Sequence, residues 1–119
     1  MSDGGGSRTL TFLCTDIEGS TRLWEQHGDA MRRALAQHDE LLRHSVETAG
    51  GAVVKTTGDG MLAVFDEPAV AIAAAIGAQH ALGGAVWGDT GVLRVRMAVH
   101  CGPATERDGD YYGLSLIHI

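Results

Sequence analysis

The sequence predicts an α+β sandwich in which helices cover one face of an antiparallel sheet. Three observations carry this. Four short segments have the composition and alternation of strands: 9–15, 52–57, 61–65 and 92–100. Two longer segments, 29–49 and 68–82, have helical signals. Their order is strand, helix, strand-turn-strand, helix, strand, with no internal repeat and no interdomain linker.

Residues 1–8 are rich in Gly and Ser and read as a flexible tail. In the first strand Leu10, Phe12 and Cys14 fall on one face, which predicts that this face meets the core. Asp16 follows the strand directly, and Gly19, Ser20 and Thr21 supply a turn and a helix start. In the first long helix Met31, Leu35, His38, Leu42 and Val46 recur every three or four residues, giving an apolar stripe. Arg32, Arg33, Asp39, Glu40, Arg43 and Glu47 mostly cover the rest, and Gly50 and Gly51 end the helix. His38 on that stripe reads as a core histidine. Gly58-Asp59-Gly60 is a hairpin turn signal. Pro68 opens the second helix, whose alanines permit close packing on a sheet. Gly83, Gly84, Gly88 and Gly91 read as a loop. In the last strand Leu93, Val95, Met97 and Val99 share one face, while Arg94 and Arg96 read as the solvated face or a dimer surface. Trp24 and Trp87 read as packing groups. Together these elements give a ferredoxin-like sheet.

Composition narrows the function. The 119 residues suffice for one compact domain. At 45% hydrophobic and 20% charged residues they suit a soluble globular chain. The net charge of -6 argues against a nucleic-acid binder, which needs a basic face. The N-terminus has no apolar core for a signal peptide, and the longest apolar stretch, Ala69 to Ala78, is too short to span a bilayer. Cys14 and Cys101 have no neighbouring Cys or His to complete a zinc pair. A cytoplasmic chain with reduced thiols, no membrane contact in this segment and no nucleic-acid partner is expected.

Two acids stand out. Asp16 ends a strand and Asp59 sits at a hairpin tip. If those strands are neighbours, both carboxylates reach one edge of the sheet. Paired carboxylates on a rigid sheet suit Mg²⁺, a hard ion that takes oxygen ligands and leaves positions for phosphate. The Glu18-Gly19-Ser20-Thr21 turn offers free backbone N–H groups as a phosphate cradle. Taken alone, Asp59 fits a turn residue equally well, and Asp16 a helix cap. Gly58-x-Gly60-x-x-Ala63 matches a dinucleotide fingerprint poorly, because strand-like residues follow it. No P-loop is present, and Asp108-x-Asp110 is too incomplete for a calcium loop.

Read together, three motifs carry a resemblance. Phe12-Leu13-Cys14-Thr15-Asp16-Ile17-Glu18-Gly19-Ser20-Thr21 resembles the first metal motif of class III adenylyl/guanylyl cyclases. Lys55-Thr56-Thr57-Gly58-Asp59-Gly60 resembles the second, and Asp110-Tyr111-Tyr112-Gly113 the start of the third. The resemblance covers residues 9–113. It implies an adenylate cyclase, a phosphorus–oxygen lyase that converts ATP to cyclic AMP and pyrophosphate in intracellular signalling. Asp16, Asp59 and the Ile17 carbonyl would hold two Mg²⁺ or Mn²⁺ ions. Lys55 and Asp110 would read the purine, since a Lys donor and an Asp acceptor match adenine N1 and N6 and mismatch guanine. The active sites would be composite in a homodimer, with Asp16 and Asp59 from one chain and Lys55 and Asp110 from the other.

The pattern breaks after Gly113. The family's third motif continues to an Asn and an Arg that stabilise charge on the transferring phosphate. Ile117 stands where the Asn is expected, and the Arg would fall beyond Ile119. Residues 9–113 therefore read as a C-terminally incomplete cyclase domain and 114–119 as a non-native tail. The chain alone is expected to be inactive. The alternative is a catalytically dead cyclase-homology module that binds nucleotide or a partner domain.

Overall fold

A computed structural model describes residues 8–107 and 110–112, with side chains over 9–104. Met1 to Ser7 of the expected tail and all of 114–119 lie outside the described residues. Arg8, assigned above to the tail, is the first residue of a strand. The elements are β1 (Arg8–Ile17), α1 (Ser20–Gln26), α2 (Gly28–Thr48), β2 (Ala52–Thr56), β3 (Gly60–Phe65), α3 (Pro68–Gly84), β4 (Val95–Arg107) and β5 (Asp110–Tyr112). The sheet order is β2-β3-β1-β4-β5, and every neighbouring pair is antiparallel. The α+β, ferredoxin-like architecture expected from the element order is present.

Both long helices pack on one face. Met31, Ala34 and Leu42 of α2 join Ala78 and Leu82 of α3 over Ile17, Met61 and Val95. Val46, Ala71 and Ala74 close over Leu13, Ala63 and Phe65. The alanines of α3 let its backbone approach the sheet, as their spacing predicts. Ala34 takes the core position expected of Leu35, which is half-buried. His38 is fully buried in the stripe.

Leu10, Phe12 and Cys14 of β1 share one face and are buried, as expected, but the helices pack on the other face of the strand, over Leu13 and Ile17, with Thr11 and Thr15 between them. Two buried threonines on the helix side misdirect the alternation. Leu10 and Phe12 are buried on the opposite face, with Val64 and Ala104. On that face Leu10 and Phe12 are buried among side chains of neighbouring strands, so both alternating sets of β1 are buried and alternation does not mark the helix side.

Three boundaries also move. β1 extends to Ile17, because the ladder with β4 continues to the Ile17–Val95 pair, so Asp16 lies within the strand. Gly83 and Gly84 form the last turn of α3 rather than a loop. β4 begins at Val95 and runs through Gly102-Pro103 to Arg107. Pro103 is tolerated there because, among the described residues, β5 pairs only with Thr105 to Arg107, so no β5 partner at Pro103 calls for its missing N–H. Val99, opposite Leu13 on the helix side, is nonetheless exposed. Trp24, expected to pack, is also exposed, whereas Trp87 is half-buried and donates from Nε1 to the Leu82 carbonyl at 2.9 Å.

Candidate active site

The register of β1 and β3 builds the site. Asp16 pairs with Gly60, so the hairpin tip lies beside the end of β1. The Ile17 amide donates to the Asp59 carbonyl at 2.9 Å. Within the tip, the Thr57 amide donates to Gly60 O at 3.0 Å and the Asp59 amide to Thr57 O at 2.9 Å. Gly58 has φ +79°, a left-handed conformation that glycine adopts without strain. At Gly60 the constraint is space: a Cβ would stand 2.3 Å from the Thr15 carbonyl oxygen. The backbones of Asp16 and Asp59 are therefore close neighbours, as the neighbouring-strand expectation requires. They lie at the end of the sheet's middle strands rather than at its lateral edge, because β4 flanks β1 on its other side.

The two carboxylates have different partners. The Ser20 hydroxyl donates to Asp59 Oδ2 at 2.7 Å. The Arg96 guanidinium donates to Asp16 Oδ2. The Glu18 amide is held by the Arg94 carbonyl at 2.7 Å, which ties the start of the β1–α1 turn to the approach to β4. These contacts bear on the two alternative readings. The N-cap of α1 is Gly19, with no side-chain capping bond, so Asp16 is not a helix cap. Asp59 sits in the hairpin tip and its carboxylate accepts from Ser20, 39 residues away in sequence.

The other expected site residues divide. Thr21 is exposed, and the Ser20 hydroxyl faces Asp59. Lys55 is exposed on β2 just after an irregularity, paired with Leu62. Cross-strand pairing sets Lys55, Leu62, Cys14 and Ala98 on one side of the sheet, and Asp16 and Arg96 on that same side, away from the helices. The backbone of Asp110 opens β5 opposite Arg107, at the end of β4 remote from Arg96. β2 and β5 are opposite edges, so within one chain Lys55 and Asp110 are not brought together. The side chain of Asp110, with Gly113 and Ile117, lies outside the described residues.

Arg96, read from the sequence as part of a solvated face or a dimer surface, is exposed as expected, but its ion pair with Asp16 was missed. The signal was the β1–β4 register, which sets Arg96 opposite Asp16 but depends on which strands pair. A shallow groove lined by Ala75, Ile76, Gln79, His80 and Met97 lies on the helix side, across the sheet from the carboxylates. Burial pushes the Cys14 thiol above its ordinary value of about 9.0. The exposed Cys101 packs its Sγ 3.4 Å from Thr11 Oγ1 on the other face, and both cysteines are free.

The donor set is chemically suited to a hard divalent cation. It consists of two carboxylates and neighbouring backbone carbonyls, all oxygen. The guanidinium on Asp16 is a stand-in cation, evidence that this carboxylate attracts positive charge. Among the described residues no group of three or more His, Cys, Asp or Glu side chains converges. An ion here would complete its shell from water or a ligand's phosphate oxygens, as Mg²⁺ characteristically does.

Comparison with known proteins agrees with this geometry. The adenylate and guanylate cyclase catalytic domain family matches residues 6–107, and the chain belongs to that family. An adenylate cyclase of Podospora anserina is 34% identical over 109 residues, covering 90% of this chain and 5% of that protein. The solved adenylate/guanylate cyclase/hydrolase from Silicibacter pomeroyi has a TM-score of 0.73 at 32% identity, covering 90% of this chain and 64% of that one. A Trypanosoma brucei adenylate cyclase has a TM-score of 0.81 at 26% identity, covering 88% and 63%. The chain thus spans a small part of its fungal relative and under two thirds of the solved domains. Among the described residues no helix is long and apolar enough to cross a membrane.

Proposed function

We propose that this chain is part of an adenylate cyclase that converts ATP to cyclic AMP and pyrophosphate. The observation that carries the reading is that the backbones of Asp16 and Asp59 are close neighbours at the end of β1 and β3. Its relatives' names and the family membership support the same chemistry. Asp16, Asp59 and the Ile17 carbonyl would hold two Mg²⁺ or Mn²⁺ ions. Bound there, the metals would favour deprotonation of the ribose 3′-hydroxyl and neutralise charge on the triphosphate. The chain's own task is placement. The hairpin fixes Asp59, Ser20 orients its carboxylate, and the Gly19–Thr21 turn offers backbone N–H groups to phosphate. Lys55, exposed on the helix-free face with Asp16, would donate to adenine N1. Asp110 would accept from N6.

The active unit is proposed to be a cytoplasmic homodimer, one copy supplying Asp16 and Asp59 and the other Lys55 and Asp110. The separation of Lys55 from Asp110 along the sheet is the demanding part of this reading, since both must reach one purine. The 119-residue chain by itself is proposed to be inactive, because Ile117 lacks the amide expected there. That departure also favours a second reading, a cyclase-homology module that binds nucleotide without turning it over.

The test is cyclic AMP formation from Mn²⁺-ATP by the longest natural form of the protein. Activity should fall at least about a hundredfold in Asp16→Ala and in Asp59→Ala, and ATP should be preferred to GTP. Retained activity in either variant refutes the assignment. Equal use of GTP refutes the base reading. Nucleotide binding without turnover in the unmodified protein supports the second reading.

A further inference from the structure

We propose that Arg96 is an internal counter-ion to Asp16 that a divalent cation has to displace, so that the chain sets its own threshold for metal loading. The inference rests on the reading that Asp16 and Asp59 hold metal. In the β1–β4 ladder Arg96 stands directly opposite Asp16, so both side chains leave the same face of the sheet. The guanidinium donates to Asp16 Oδ2. Asp59 has a different partner, the neutral hydroxyl of Ser20 at 2.7 Å.

The two partners act differently on an arriving cation. A hydroxyl orients Asp59 and leaves its negative charge intact. A guanidinium neutralises Asp16, occupies lone pairs that a metal would use, and repels a second positive charge. Asp59 and the carbonyls are therefore open to a cation from the start, while Asp16 is masked. The mask is built to open. The Arg96 side chain is 54% exposed and that of Asp16 26%, so water competes for both groups and the pair exchanges readily. Arg94 does not share this role: its side chain makes no ion pair with either carboxylate among the described residues.

The test is Mn²⁺ binding to the 119-residue chain without nucleotide, read from the electron paramagnetic resonance of free Mn²⁺. Removing one positive charge a few ångströms from a divalent ion should tighten binding about tenfold in Arg96→Gln. Adding Asp16→Asn to that variant should abolish the gain. A well-folded Arg96→Gln chain, checked by circular dichroism, that binds Mn²⁺ no tighter than the unmodified chain overturns the proposal. A measurement on the unmodified chain covers the case in which the variant misfolds. Titration with diamagnetic Mg²⁺ should move the Arg96 Nε–H resonance toward that of a free arginine in step with binding, and an unmoved resonance overturns the proposal equally. The single variants Asp16→Asn and Asp59→Asn separate the two levels of the argument. If neither weakens Mn²⁺ binding, the metal reading itself fails and the counter-ion role falls with it. If both weaken it while Arg96→Gln changes nothing, only the counter-ion role is lost.

Discussion

Replacing Gly60 by Ala tests the packing that makes Asp16 and Asp59 neighbours. The new Cβ would lie 2.3 Å from the Thr15 carbonyl oxygen and 3.0 Å from Thr57 Oγ1. The Thr57 hydroxyl can rotate away, but the Thr15 carbonyl belongs to the central strand. Relief to ordinary contact requires β3 to move about 1 Å from β1, since carbon–oxygen neighbours settle near roughly 3.4 Å. That shift pulls on the bond from the Ile17 amide to Asp59 O and on the Asp16–Gly60 pairing. Overpacking of this kind plus one weakened backbone bond amounts to about 2–4 kcal/mol. For a domain of this size that lowers Tm by roughly 8–15 °C. Gly58→Ala is the internal comparison. Gly58 has φ +79° but nothing within 4 Å of its Cβ position, so only the left-handed backbone penalty of about 1 kcal/mol applies. Thermal and urea unfolding of both variants would measure the order. A Gly60→Ala chain that melts within about 1 °C of the parent, or a Gly58→Ala chain that is the less stable of the two, refutes the close approach at the tip.

Two further outcomes follow from the interior. His38 is fully buried, its Nδ1 lies 2.9 Å from Asp39 Oδ1, and its Nε2 has no hydrogen-bond partner among the described residues. His38→Leu should therefore be neutral or stabilising by up to about 1 kcal/mol in urea unfolding, whereas a loss above about 2 kcal/mol would show that the ring's polar contacts matter more than its burial. Cys14 has a thiol pushed upward by burial, so its neutral form is favoured in the folded state. Its contribution to stability is present below the unfolded value and is lost as pH rises through the folded one. The check is iodoacetamide labelling near pH 8 followed by mass spectrometry. Exposed Cys101 should react and Cys14 should not until the chain is unfolded.

Much of this was legible because it depends on local physics. The stripe from Met31 to Val46 fits only a helix, and the Pro68 start with alanine spacing marks a helix that packs closely. Gly58-Asp59-Gly60 marks its own turn, and the two acids at strand and turn ends are what suggested a cation site. Those features survive because helix period, proline geometry and turn chemistry act over a few residues. What stayed hidden depends on residues far apart in sequence. The β1–β4 register makes Arg96, still solvent-exposed, the partner of Asp16, 80 residues away. Both alternating sets of β1 are buried, so the sequence did not say which one meets the helices, and Thr11 and Thr15 carry part of the helix side. Ser20 proved to be the orienting partner of Asp59 because the turn after β1 sets the first residue of α1 beside the hairpin tip. The sequence by itself determined the elements, their order and the carboxylate pair, since each is written in short-range chemistry. Only the tertiary structure decided which face is covered and what holds each carboxylate, because strand pairing joins residues whose separation along the chain carries no local signal.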